Sequence, residues 1–219
     1  YIFVDHVNLA SILAPFSWLN RTRYIIWLFG IEVFPPRPDW EGKLGLGNAW
    51  KRLAISEFTR RSVLDRFPDL PIELCELALD PVRHADVITS GNSDPIVLQA
   101  FDGSQSELGK QVILHVGRMV SGERYKGQDS LIQAFPLIYE KHPQAQLVLA
   151  GQGDDMPRIK RLAQALPTAV QTNIFFPGYV ADELLMRIYQ TCYVFAMPSV
   201  GEGFGLVYLE AMNHGKPCL

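Results

Sequence analysis

The sequence contains few cysteines, no strong excess of either charge and no long apolar run. Its three cysteines, Cys75, Cys192 and Cys218, are odd in number and widely spaced, which favours buried thiols in a reducing, cytoplasmic compartment over a disulfide framework. A formal net charge of −3 gives no attraction to a nucleic-acid backbone. The uncharged, apolar stretch at residues 6–20 contains a proline and is shorter than a membrane span requires. The composition therefore predicts globular domains that bind no nucleic acid.

Metal and dinucleotide sites are not indicated either. The five histidines show no metal-ligand spacing, and the acidic pair at 154–155 precedes a proline and a helical pattern, where aspartate is an ordinary helix cap. The Gly-Gln-Gly sequence at 151–153 begins like a dinucleotide-binding fingerprint, but Met156 stands at the third glycine position. We therefore predict no metal and no cofactor.

From residue 111 onward, short β-rich apolar runs alternate with helical patterns. This alternation is typical of a parallel sheet with helices on both faces. Strands are predicted at Val112–Val116, Gln146–Ala150, Ile174–Phe176 and Tyr193–Met197, and helices at Gln128–Lys141, Met156–Leu166, Asp182–Gln190 and about 205–213.

The first 80 residues alternate in the same way with less regularity. Ser56 is expected to be the N-cap of a helix that runs through Phe67. Strands are predicted at Tyr1–Val4, Tyr24–Phe29, Arg52–Ile55 and Ile72–Leu77.

These two patterns predict an α/β fold with two Rossmann-like domains and parallel sheets. Residues 1–80 would belong to the first domain and residues 111–219 to the second. Between them, residues 81–110 are rich in Asp, Ser, Gly and Pro, which favours a linker plus an approach strand. The chain opens without an initiator Met and closes where a new apolar segment begins. We therefore expect a fragment of a longer chain, with both domains incomplete.

The most informative stretch is the loop that follows the strand at 193–197 and enters the last helix. Gly201, Gly203 and Gly205 would let its backbone approach a ligand closely, and the N–H groups around residues 204–206 would be free donors at a helix N-terminus. Ligands of open α/β sheets bind at the carboxyl ends of strands, where this loop lies. The pattern predicts a phosphate site.

Two glutamates, Glu202 and Glu210, flank this predicted phosphate site. Their carboxylates would repel a bound phosphate unless they bind neutral hydroxyl groups of the same ligand. A diphosphate with a sugar on one side and a ribose on the other offers such hydroxyl groups. Positive charge for the diphosphate would come from Arg118, after the strand at 112–116, and from Lys126, at a helix start.

These motifs resemble the donor domain of family 4 retaining glycosyltransferases, and they cover residues 114–217 in that family's order. The two glutamates with seven residues between them are the signature of the group. The resemblance implies the two-Rossmann-domain architecture called GT-B, a nucleotide-sugar donor and catalysis without a metal. It is carried by Gly117-Arg118, Lys126-Gly127, residues 149–153, 176–180 and 198–199, and Glu202-Gly203-Phe204-Gly205-Leu206 with Glu210-Ala211-Met212.

By resemblance, the donor-binding residues divide according to the part of the donor that they contact. Arg118 and Lys126, with Gly117 beside them, would hold the diphosphate. Glu210 would bind the ribose, and Glu202 would bind the donor-sugar hydroxyls at the reaction centre. The backbone at Gly203, Phe204, Gly205 and Leu206 would touch sugar and phosphate, and the loop that ends at Val180 would lie near the base.

The N-terminal part resembles the acceptor domain of the same family more loosely. Residues 5–10 resemble the segment in which that family keeps a histidine near the transferring sugar, which makes His6 a catalytic candidate. A lone histidine beside an apolar segment can equally be structural. Phe29 stands where a histidine is common in the family, so no acid-base role is assigned there.

The function expected from the resemblance is transfer of a hexosyl unit from a nucleotide-diphosphate sugar to a hydroxyl acceptor, with retention of configuration. The acceptor would be a sugar, a lipid-linked molecule or a small molecule, as in polysaccharide biosynthesis. Two alternatives stay open: a truncated, non-catalytic remnant that at most binds nucleotide-sugar, and a nucleotide-sugar epimerase of the same fold.

A basic cluster in the first domain leaves a further alternative open. Its five cations are most simply a solvated helix face, and contact with the inner face of a membrane is the other interpretation. The cluster consists of Lys51, Arg52, Arg60, Arg61 and Arg66.

Overall fold

The computed structural model describes residues 1–20, 22–30, 44–80 and 94–219. The chain forms two compact units. The first consists of Tyr1–Ala78 together with Gly201–Gly205, and the second of Leu79–Val200 together with Leu206–Leu219. The short segment 201–205 therefore belongs to the first unit, although the chain on both sides of it belongs to the second.

The first unit contains a parallel four-stranded sheet whose strand order follows the sequence. Its strands are β1 (Ile2–Val4), β2 (Tyr24–Leu28), β3 (Lys51–Ala54) and β4 (Glu73–Leu74), and its helices include α1 (Val7–Asn20) and α2 (Glu57–Leu64). Buried apolar side chains from the strands and both helices form one core, which includes Val7, Ala10, Tyr24, Ile26 and Val63. The strands predicted from the sequence are present, and the last of them is shorter than expected.

Helix α1 was not predicted, because its sequence shows no amphipathic pattern. It contains no charged residue in either its first or last turn, and apolar side chains occur on all sides. Val7, Ala10 and Ala14 are buried, whereas Leu9 and Ile12 on the outer side are at least half exposed. A helix of this kind leaves no periodic signal for sequence reasoning to detect.

Helix α2 begins as the sequence predicts. The Ser56 hydroxyl accepts a hydrogen bond from the Thr59 N–H at 3.0 Å, which satisfies one of the free donors of the first turn. Glu57 pairs with Arg60 at 2.8 Å and with Arg61 at 2.9 Å. These two arginines lower the pKa of Glu57 to about 2.

The basic cluster of the first unit is largely engaged in contacts inside the unit. Besides the two arginines that pair with Glu57, Lys51 pairs with Glu73 at 2.8 Å, and the buried Arg52 donates to the carbonyls of Leu46 and Gly47. Arg60 and Arg61 lie on α2, as a helix face requires, whereas Lys51 and Arg52 lie on β3 and Arg52 is buried. The prediction of one solvated helix face is therefore wrong for these two residues. Within the described residues, no helix is long and apolar enough to cross a membrane.

The first described strands of the second unit form an antiparallel hairpin, β5 (Val97–Gln99) and β6 (Gln105–Glu107). Its turn is closed by Asp102, whose carboxylate accepts the N–H and the hydroxyl of Ser104. Leu98 and Ala100 are buried in the core of the unit. The Asp-Gly-Ser cluster that suggested a linker is therefore a hairpin turn, and residues 81–93 of the expected linker lie outside the described residues.

The main sheet of the second unit is parallel, with strand order β10-β7-β8-β9. Its strands are β7 (Val112–Val116), β8 (Gln146–Ala150), β9 (Ile174–Gly178) and β10 (Val194–Phe195). The helices are α3 (Gln128–Lys141), α4 (Met156–Gln164), α5 (Thr168–Gln171), α6 (Asp182–Thr191) and α7 (Leu206–Asn213). β7, β8 and α3 begin and end at the predicted residues.

Helices cover both faces of this sheet, as the alternation in the sequence predicts. Alternate residues of β8 point to opposite faces: Val148 packs in a cluster with Ile188 of α6, and Leu147 packs in another with Ile132 and Phe135 of α3. Because both faces of the sheet are buried, the sequences of its strands are continuous apolar runs rather than alternating apolar and polar residues.

Candidate functional site

A cavity of about 620 Å³ lies at the carboxyl edge of the second unit's sheet. β7, β8 and β9 are parallel and end at this edge, and the residues that follow them form its walls. Helix α7 completes it with Val207 and Glu210. The lining residues are Val116, Gly117, Arg118, Ala150, Gly151, Gln152, Gly153, Tyr179, Val180, Asp182, Leu185, Val207 and Glu210.

The structure thus brings together four of the residues predicted from the sequence, namely Gly117, Arg118, Val180 and Glu210. They come from two loops and a helix that are up to 93 positions apart in the sequence, so their convergence is a property of the fold. The Tyr179 side chain is 72% exposed at the rim, where a planar ligand group could stack on it.

The Gly-Gln-Gly loop after β8 packs directly against the loop after β7. A Cβ on Gly151 would lie 1.9 Å from the Gly117 carbonyl oxygen, and a Cβ on Gly153 would lie 2.1 Å from that of Met119. The two loops are also joined by a hydrogen bond from the Met119 N–H to the Gln152 carbonyl at 3.0 Å. Close packing of two backbones therefore explains both glycines without a bound dinucleotide.

Lys126 ends a 3₁₀ segment, Ser121–Lys126, and shares a carboxylate with Arg118. The Glu123 Oε1 pairs with the Arg118 guanidinium, and its Oε2 lies 3.7 Å from the Lys126 Nζ. The side chains of Glu123 and Lys126 are only 14% and 15% exposed, whereas that of Arg118 is 69% exposed. Sequence reasoning missed Glu123; the only available signal was an acidic residue between two predicted anion-binding cations.

The 3₁₀ segment is fixed by the acidic pair at 154–155, which the sequence favours as helix caps over metal ligands. Asp155 is 5% exposed and accepts hydrogen bonds from both Arg124 and Arg158, which hold its pKa at about 2, with Arg158 the larger cause. Asp154 accepts the N–H and hydroxyl of Ser121. Among the described residues, no group of three His, Cys, Asp or Glu side chains is placed to hold a metal ion.

His115 connects the same segment to the core of the sheet. It is fully buried on β7, and its Nε2 lies 3.2 Å from the Lys126 carbonyl oxygen, so the neutral ring donates a proton from Nε2 there. Burial lowers its pKa to about 4. Sequence reasoning gave His115 no role, because a histidine within a strand is most often structural.

The low pKa of His115 makes the stability of the second unit depend on pH. The unfolded chain binds this proton with a pKa near 6.5, more tightly than the folded chain does, so protonation favours unfolding. The contribution is complete above pH 6.5 and is lost as the pH falls towards 4. We expect the free energy of unfolding to drop by about 2 kcal/mol between pH 7 and pH 5 from this residue.

Urea denaturation at pH 7 and pH 5 measures this drop. His115→Gln, which keeps a side-chain N–H donor without a titrating group, should show a smaller drop than the original chain. His142→Gln changes an exposed histidine and serves as the matched control. An equal drop in the original chain and in His115→Gln would contradict the prediction.

Residues 201–205 of the signature loop belong to the first unit, and the residues that line the cavity all belong to the second. The Gly203 carbonyl accepts hydrogen bonds from the hydroxyls of Ser56, at 2.5 Å, and Thr59, at 3.3 Å. A Cβ on Gly203 would lie 1.8 Å from the Phe29 carbonyl oxygen. Close backbone packing therefore explains this glycine independently of any ligand.

The other predicted residues of the signature loop lead directly into α7 in the sequence. Glu202, Phe204 and Gly205 are half-buried, and Gly205 has a positive φ of 81°. Leu206 is the first residue of α7, which agrees with the predicted helix start.

His6 precedes α1 and caps it. Its Nδ1 accepts a hydrogen bond from the Asn8 N–H at 3.2 Å, and its carbonyl accepts one from the Ala10 N–H at 3.2 Å. This is the hydrogen bonding of a helix N-cap, so the structure supplies a structural role for His6 and leaves its catalytic role a proposal.

Residues 110–219, half of the chain, match the family described as Glycosyl transferases group 1. The chain belongs to this family. The resemblance based on the sequence motifs is thereby confirmed, and the matched region contains every residue of the cavity. Glu202 and the signature loop lie in the matched region too.

Curated relatives of this family member support the same assignment. It is 40% identical over 174 residues to an uncharacterized glycosyltransferase of Methanocaldococcus jannaschii, an alignment that covers 74% of this chain and 43% of the relative. It is 30% identical over 149 residues to mannosylfructose-phosphate synthase of Agrobacterium fabrum, covering 62% and 32% of the two chains. The chain thus spans less than half the length of these relatives.

Solved structures confirm the predicted α/β fold class, with Rossmann-like domains of GT-B type. HepE of Anabaena in complex with UDP superimposes with a TM-score of 0.73 at 19% identity, covering 100% of this chain and 59% of HepE. Sucrose-phosphate synthase of Thermosynechococcus elongatus gives a TM-score of 0.68 at 21% identity, covering 99% and 54%.

Proposed function

We propose that this family member takes part in a metal-independent, retaining transfer of a hexosyl unit from a nucleotide-diphosphate sugar to a hydroxyl acceptor. The observation that carries the proposal is the convergence of Gly117, Arg118, Val180 and Glu210 on one cavity at the carboxyl edge of the sheet. These are the residues for which the family resemblance implies contacts with the diphosphate, the base and the ribose.

The names of related proteins support a nucleotide-sugar donor. One relative, 37% identical over 101 residues, is a GDP-mannose-dependent mannosyltransferase of Corynebacterium glutamicum, and HepE has been crystallised with UDP-glucose. We propose a donor of this class and leave the base and sugar unspecified, because loop shapes rather than motifs determine them.

Arg118 and Lys126 would stabilise the departing diphosphate. The bond between the anomeric carbon and the diphosphate oxygen breaks, and a bond from that carbon to the acceptor oxygen forms on the same face. The acceptor proton passes to the departing phosphate oxygen. Negative charge builds on the leaving group in this step, and a preorganised guanidinium and ammonium are suited to stabilise it.

Glu202 and His6 would act on the transferred sugar. Glu202 would orient its hydroxyl groups, and His6 would approach it from the acceptor side. Orientation of this kind places the acceptor oxygen close to the anomeric carbon, which is a large part of the catalytic effect in transfer reactions. The acceptor would be a sugar, a lipid-linked molecule or a small molecule, met in the cytoplasm or at the inner membrane face.

Titration calorimetry with UDP, GDP and ADP, each with and without EDTA, tests the donor site. We expect one of the three to bind with a micromolar dissociation constant that EDTA leaves unchanged. Failure of all three to bind would contradict the proposal and favour the non-catalytic remnant. Binding followed by conversion of a nucleotide-sugar without any acceptor would instead indicate an epimerase, which product analysis detects.

A further inference from the structure

The carboxylate of Glu210 is held by a partner that does not line the cavity. Glu210 reaches the cavity from a half-buried position on α7. Its Oε2 accepts a hydrogen bond from the Tyr189 hydroxyl on α6 at 2.9 Å. Within the described part of the chain, its Oε1 accepts no hydrogen bond. One oxygen is therefore fixed by the protein, and the other is available to a ligand.

The position of the Tyr189 hydroxyl is determined by the core. The side chain is 2% exposed, and its ring stacks on His214 with the centroids 5.6 Å apart and the planes 8° apart. On another side it packs against Phe195, with a centroid distance of 6.0 Å. A ring enclosed in this way has no alternative rotamer available to it, so its hydroxyl is a fixed point.

The hydroxyl is also a permanent donor to the carboxylate. Burial first, and then the charge of Glu210, raise the pKa of Tyr189 above its usual range, so the proton stays on the oxygen. The alternative acceptor, the Val207 carbonyl, is more distant at 3.5 Å. A charged acceptor at shorter distance forms the stronger hydrogen bond, so the proton is directed at Glu210.

We propose that Tyr189 is the positioning residue for ribose recognition. It holds one oxygen of Glu210 so that the other faces the ribose hydroxyl groups, and it has no contact with the nucleotide itself. The inference rests on the proposed function, in which Glu210 binds the ribose. A glutamate side chain has several rotatable bonds, and fixing it before the ligand arrives removes most of the entropy cost of ordering it on binding.

The test compares ribose recognition in Tyr189→Phe and in the original chain. Dissociation constants are measured by calorimetry for UDP and GDP and for their 2′,3′-dideoxy counterparts, and the ratio of dideoxy to ribo constants is taken for the base that binds. We expect the original chain to prefer the ribo form about tenfold or more. Tyr189→Phe should lower that ratio about fivefold and leave the dideoxy constant unchanged.

Tyr208→Phe is the matched control. The Tyr208 hydroxyl, on the same helix as Glu210, donates to the Met197 carbonyl and has no hydrogen bond to Glu210. This variant removes one tyrosine hydroxyl from the same region and should keep the preference for the ribo form of the nucleotide. If both variants lower the melting temperature but only Tyr189→Phe lowers that preference, the loss of ribose recognition is not caused by the loss of stability.

Glu210→Ala separates failure of this inference from failure of the proposed function. If Glu210→Ala removes the ribo preference and Tyr189→Phe keeps it, the positioning role is wrong and the ribose role of Glu210 stands. If Glu210→Ala also keeps the preference, or if no nucleotide binds the original chain, the proposed function is wrong and the inference fails with it. Equal weakening of both nucleotide forms in Tyr189→Phe would show a purely structural role.

Discussion

Gly151→Ala is expected to lower the free energy of unfolding of the second unit by about 3 kcal/mol and to abolish nucleotide binding. The added Cβ would lie 1.9 Å from the Gly117 carbonyl oxygen, a backbone atom that cannot move without displacing the end of β7. Gly151 also has a positive φ of 138°, which side chains rarely tolerate. Both walls of the cavity, at Gly117 and at Gly151, would have to separate.

Thermal and urea denaturation measure the stability loss, which corresponds to a fall in melting temperature of roughly 10 °C. Gly122→Ala is the control, because a Cβ there would meet no atom within 4 Å and should change stability by less than about 0.5 kcal/mol. If Gly151→Ala melted and bound nucleotide like the original chain, the close packing of the two loops would not be required for the site.

Lys126→Ala is expected to weaken binding of the nucleoside diphosphate about thirtyfold. Arg118, Lys126 and Glu123 together carry one net positive charge, and removing the lysine leaves a neutral pair beside an anionic ligand. The Glu123 carboxylate would then oppose the diphosphate with only one cation to balance it. Calorimetry with the nucleotide that binds the original chain measures the loss.

Two further variants show whether charge is the cause. Lys141→Ala removes an exposed lysine of α3 and should leave the dissociation constant unchanged. The double variant Lys126→Ala with Glu123→Gln restores one net positive charge, and it should recover part of the lost affinity because neighbouring charges act non-additively. Full-strength binding by Lys126→Ala alone would exclude Lys126 from the diphosphate site.

The fold of the second unit could be predicted in detail because its sequence signals are local. β7 and β8 are apolar runs that end at a glycine, and α3 starts after Gly127 and carries apolar positions three and four residues apart. The hairpin at 97–107 could not be predicted in the same way. Its Asp102 turn has the composition of a linker, and only the burial of Leu98 and Ala100 distinguishes the two.

Some residues of the candidate site could be predicted from local sequence signals, and others could not. Arg118 and Glu210 could be found because glycine-rich loops and family motifs mark them in the sequence. Glu123 and Tyr189 could not, because their importance comes from one tertiary contact each, and Tyr189 reads as an ordinary apolar position of an amphipathic helix. Gly203 was interpreted as allowing close approach to a ligand, whereas the structure also explains it by the Phe29 backbone.

The acidic and basic side chains around the 3₁₀ segment have a kinetic consequence. Arg158 joins Asp155 to Asp129 at the start of α3, so the segment that carries Lys126 is tied at several points before any ligand arrives. A site of this kind loses little conformational freedom on association. Nucleotide capture by this cavity is therefore expected to be a single fast step with a small heat-capacity change, without a slow phase of loop ordering.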